Sequence, residues 1–137
     1  MKSVEAVVAR SERNKLEGLA GKHFRSPETE LIKKLKSKNL SAILGIENDD
    51  SFYTVLGFEG LLVKNLSGEE LVIPFDELLL LLGKNGMATG KAGDFEVVPL
   101  EKYGKIWMKD GPTMCAIWNI AIMMERWPVD AEPKGVS

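Results

Sequence analysis

Between Leu40 and Ile73 apolar and polar positions alternate with a period of two, in short runs separated by turn residues. Leu40, Ala42, Leu44 and Ile46 alternate with Ser41, Ile43, Gly45 and Glu47. The cluster Asn48-Asp49-Asp50-Ser51 supplies a hairpin turn, and Phe52, Thr54, Leu56 and Phe58 alternate on the return. Glu59-Gly60 then turns the chain into residues 61–66, and Ser67-Gly68-Glu69 turns it into residues 70–73. Four short strands joined by tight turns predict an antiparallel meander.

On either side the pattern is helical. Val4, Val7, Val8, Leu16, Leu19 and Ala20 fit one helical face over residues 3–20, ending near Gly18 or Gly21, with a strand over 4–9 as the competing assignment. Ser26 suits a helix cap, Pro27 the first helical position and Glu28 and Glu30 the first turn. These predict a helix over 26–38, with Leu31, Ile32 and Leu35 inward. Pro74 ends the meander, and 75–82 reads as a short helix stopped by Gly83. Residues 83–93 read as a glycine-rich loop, 94–100 as a strand and 106–108 as its short partner. The run PTMCAIWNIAIMMERW at 112–127 is apolar almost all round, interrupted by Asn119 and closed by Glu125 and Arg126. A membrane span needs about 20 apolar residues, so this run predicts a buried central helix.

The fold class that follows is α+β: an antiparallel meander of four to six strands with N-terminal helices and a buried C-terminal helix. Residues 1–127 read as one domain, and 128–137 as an extended tail. The length of 137 residues suits one domain with a real core. Residues 1–25 hold no signal-like apolar core, so a cytoplasmic protein without a membrane span is expected. The absence of glutamine, with abundant Lys, Glu and Leu, suits a thermophile.

Charge changes the picture more than composition does. Residues 1–38 carry ten Lys/Arg and five Asp/Glu, a net of +5, and the remainder carries eight and fifteen, a net of −7. Such asymmetry points to a polyanion-binding face or to a basic third that pairs with acids elsewhere.

Recognisable reaction centres are lacking. One His and one Cys do not make a structural zinc site, and Cys115 reads as a small core hydrophobe, not as the partner of His23. No serine sits in a G-x-S-x-G context. Gly90-Lys91 is not a phosphate-binding loop, because Asn85 and Ala92 stand where glycine and Ser/Thr are required. Asn48-Asp49-Asp50 offers oxygen ligands, but hairpin turns use the same residues. Glu132-Pro133-Lys134 has a nuclease-like spacing that its central proline disqualifies. No catalytic residue, metal or cofactor is assigned, and an enzyme without a recognisable motif is the least favoured reading.

The leading expectation is nucleic-acid binding, single-stranded and weakly sequence-specific. Arg10, Arg13, Lys15, Lys22, Arg25, Lys33, Lys34, Lys36 and Lys38 would follow the backbone, and Tyr53 would stack a base. The pI of 5.5 counts against it. The alternative is a protein-interaction or homo-oligomerisation module, suggested by apolar surplus in 61–66, 78–82 and the C-terminal helix.

Overall fold

The computed structural model describes residues 3–86 and 96–127. It is an α+β domain built on a five-stranded antiparallel meander: β1 (Phe24–Arg25), β2 (Ala42–Glu47), β3 (Tyr53–Gly57), β4 (Leu61–Lys64) and β5 (Glu70–Ile73), in that spatial order. The helices are α1 (Val4–Arg13), α2 (Leu16–Ala20), α3 (Glu30–Ser37), α4 (Phe75–Leu81) and α5 (Gly111–Glu125). A separate hairpin pairs β6 (Val97–Pro99) with β7 (Lys105–Trp107).

The expected turns form as the chain chemistry requires. At the β2–β3 hairpin the Asn48 side-chain oxygen accepts from the backbone of Asp50 and Phe52, at 2.9 and 3.1 Å. The carboxamide is thus committed to the turn. Gly45 is fitted to the β2–β3 pairing: a Cβ there would stand 2.3 Å from the Thr54 carbonyl oxygen, so only glycine permits this approach.

Both faces of the sheet are covered, which the simple alternation did not foretell. Leu44, Ile46, Leu56, Leu61, Val63 and Ile73 face the larger core, shared with α1, α2, α4, α5 and the β6–β7 hairpin. Tyr53, Val55 and Leu62 point the other way, against Leu31, Ile32 and Leu35 of α3. The domain therefore has three layers, with α3 alone on its side among the described residues. β2 and β3 are apolar on both faces because both are inside.

Several boundaries differ from expectation. Residues 3–20 make two helices, not one. Lys15 takes a left-handed conformation (φ 59°), and the Asn14 amide bonds back to the Arg10 carbonyl at 2.9 Å, turning the chain between them. The helix expected from Ser26 begins at Glu30. Ser26 and Thr29 instead close a turn, with the Thr29 amide and hydroxyl both donating to the Ser26 carbonyl. Gly83 does not stop α4, whose end runs into a π-type turn over Leu82–Gly86. The strand expected over 94–100 is seen as Val97–Pro99. The remainder of the 83–93 loop beyond Gly86, the start of that strand and the 128–137 tail lie outside the described residues.

The C-terminal helix is not enclosed on every side. Asp110 caps it by accepting from the Thr113 amide at 2.9 Å, and Pro112 occupies its first turn. Met114, Ile117, Ile120, Ala121 and Met124 are buried. Cys115, Trp118 and Ile122 are half-buried on its outer side, and Asn119 is exposed. Cys115 is accordingly not the fully buried hydrophobe the pattern suggested. No helix among the described residues is long and apolar enough to cross a membrane.

Candidate nucleic-acid interface

α3 owes its position to three apolar side chains. Leu31, Ile32 and Leu35 are buried on the sheet, which leaves Lys33, Lys34, Lys36 and Lys38 on the outward side. Lys34 and Lys36 also lie in the last turn, where a positive charge complements the helix carbonyl end. Among the described residues, Lys33, Lys34 and Lys36 have no acidic partner. Lys38 does: its ammonium lies 3.3 Å from Glu70.

The other basic candidates do not join this patch. Arg10, Arg13 and Lys15 belong to the α1–α2 layer, across the sheet from α3. Lys22 pairs with Asp49 at 3.5 Å, both side chains largely exposed, and Arg25 pairs with Glu47 at 2.9 Å. Arg25 also donates to the carbonyls of Lys22 and Phe24, so its guanidinium fastens the β1 edge. The single groove expected for all nine basic residues is therefore divided by the sheet.

Tyr53 is not an exposed stacking platform. Its side chain is 4% exposed beneath α3, and its hydroxyl donates to Glu70 at 3.2 Å. Burial foremost, then the charge and hydrogen bond of Glu70, pushes the phenol well above its ordinary pKa. The Glu70 carboxyl is held below its ordinary pKa. Burial works to raise it, but hydrogen bonds from Lys38 and Tyr53 and the charges of Lys38 and Lys64 prevail. The covering helix was not visible in the local sequence around Tyr53. Phe52 and Phe58 pack against the larger core, as their alternation with Leu56 implied.

A cleft of about 560 Å³ lies between α1–α2 and β1. Glu12, Glu17 and Glu28 line it with Lys15 over an apolar floor that includes Phe24 and Leu44, so it does not continue a basic surface. His23 is engaged elsewhere, with Nδ1 3.0 Å from the Glu47 carbonyl and its ring edge-on to Trp107. Among the described residues no group of three His, Cys, Asp or Glu is placed to hold a metal.

One cation outside the basic third had no signal in the charge tally. Arg126, just past α5, shares a smaller cleft with Arg10, bringing together arginines 116 positions apart in sequence. Compared with protein-family models, with curated proteins and with solved structures, the chain matches none.

Proposed function

We propose that this domain is a non-catalytic nucleic-acid-binding module that grips the phosphate backbone through the outer side of α3. The observation that carries the reading is the presentation of Lys33, Lys34 and Lys36 side by side, exposed and without acidic partners among the described residues. Phosphates meeting such a patch displace condensed counterions, which supplies affinity without reading base identity. With Tyr53 covered, base stacking is not part of the mechanism, and the preference for single strands expected from it is withdrawn. Titration of fluorescent single-stranded and duplex oligonucleotides over a range of salt concentrations tests this. Three backbone contacts would give a slope of about −3 in log K against log salt on duplex, and roughly −2 on single strands. No association at low salt would refute it.

A second reading, protein association, is favoured by a different surface. Leu80 of α4 is 70% exposed, and Cys115, Trp118 and Ile122 form a half-buried apolar line on the outer side of α5. Exposed and half-buried apolar side chains of this kind are what association faces use. It is compatible with a basic α3, which lies across the sheet.

A further inference from the structure

The cleft shared by Arg10 and Arg126 has the makings of a ligand site distinct from the α3 patch and independent of it. It occupies about 310 Å³ between α1 and the C-terminal end of α5, and Arg10, Asn119, Ile122, Met123, Arg126 and Trp127 line it. That is the lower end of the range for small-molecule pockets, about 300–1,000 Å³. Arg10 and Arg126 both line it, with no carboxylate in the lining and no acidic partner for either among the described residues.

Arg10 also has an unmet hydrogen bond inside the wall of the cleft. Its Nε–H is shut off from solvent and has no acceptor among the described residues. An enclosed donor without an acceptor is costly, the more so on a charged group. The local polar network does not relieve it. Asn14 donates its amide to the Arg10 carbonyl at 2.9 Å and receives the Asn119 amide at 3.0 Å, which ties α1 to α5 and fixes the two walls. Ile122, Met123 and Trp127 make the rest of the lining largely apolar. The Trp127 indole is further steadied by Phe58, with ring centroids 6.2 Å apart.

We infer that this cleft binds a small organic oxyanion, with its phosphate or carboxylate head between Arg10 and Arg126 and a compact apolar body against Ile122, Met123 and Trp127. Arginine suits either head because its planar fork matches paired oxygens. The partly enclosed setting strengthens the pairing relative to open water. An inorganic ion would satisfy only the polar half of the site, so an apolar substituent should improve binding.

The test uses the full chain and follows the Trp127 indole N–H resonance during titration with phenyl phosphate, benzoate and inorganic phosphate. Phenyl phosphate or benzoate is expected to move that resonance saturably, about tenfold more tightly than inorganic phosphate because of the buried ring. The tighter of the two aromatic probes identifies the head group. Arg126→Met, at an exposed position, should weaken binding about tenfold while leaving the fold intact, and Arg10→Met should do the same. A Lys33→Glu/Lys34→Glu/Lys36→Glu chain should bind the probes as before. The inference is overturned if no probe shifts Trp127, or if Arg126→Met binds them unchanged. It is equally overturned if binding disappears in the triple lysine variant.

Discussion

Thr54 and Trp107 are joined across the larger core: the Thr54 hydroxyl, fully buried on β3, donates to the Trp107 carbonyl at 2.6 Å. The contact fastens the β6–β7 hairpin to the main sheet, although the partners are 53 positions apart. Asn65 makes a second clasp. Its amide donates to the Tyr103 carbonyl at 2.8 Å, while its side-chain oxygen accepts from Ser67 and Glu69 in the β4–β5 turn. Two buried polar side chains thus determine where a short hairpin sits.

Thr54→Val keeps the shape of the side chain and removes the donor. The Trp107 carbonyl would lose this bond in a dry setting, at a cost of about 1–3 kcal/mol. Urea unfolding should show a lower midpoint with an unchanged slope. An unchanged midpoint would mean that the Thr54 bond adds nothing to what Asn65 and apolar packing supply.

Asp110 caps the longest helix, and Asp110→Ala should cost about 0.5–2 kcal/mol at neutral pH. Its carboxyl is held below the ordinary value: burial acts to raise it, but Lys109 at 2.7 Å and the Thr113 amide outweigh burial. The sign follows from linkage. The contribution is fully present above the unfolded value of 3.8 and is lost as pH falls through the lower folded value. The stability gap between wild type and Asp110→Ala should therefore be constant near neutrality and narrow below about pH 4. A gap independent of acid pH would contradict an ionised cap.

The chain's two tyrosines should resist ionisation. Tyr103 is pushed up to about 12, chiefly by its hydrogen bond to Glu77 and then by burial; Tyr53 is raised foremost by burial. In the unfolded chain both ionise near 10.0. Their contribution to stability is complete below that value and is lost as pH rises from there through the folded values. An absorbance titration of the native protein should show little tyrosinate at pH 10.0. A normal tyrosinate transition in the folded chain would mean that Tyr53 is open, and would restore it as a stacking candidate.

The meander and its turns were legible because their causes are local. Asn48, Gly60 and Gly68 sit where turns require them, and Pro74 ends β5 as expected. The helix at Gly111–Glu125 was also legible, from its apolar run opened by Pro112. What stayed hidden depends on long-range placement. Nothing near Tyr53 in sequence says that α3 will lie across it, and nothing in a charge tally says which side of a sheet each lysine reaches. The runs of buried residues in β2 and β3 did carry a hint. Val55, apolar at a position that alternation assigns to the outer face, was a sign of a second covering layer. Arg10 and Arg126 are likewise paired only by the packing of α1 on α5.

The division of the basic third by the sheet leads to one comparison that matters most. Binding of a fluorescent oligonucleotide at low salt should be measured for Lys33→Glu/Lys34→Glu/Lys36→Glu and for Arg13→Glu/Lys15→Glu, all at exposed positions. Each lost phosphate contact is worth about one unit of salt slope, so the α3 variant should lose binding and its slope together. The α1–α2 variant should bind nearly as tightly as wild type, since its charges face the opposite layer. Equal loss in both variants would contradict the account, because it would require the two layers to act as one surface.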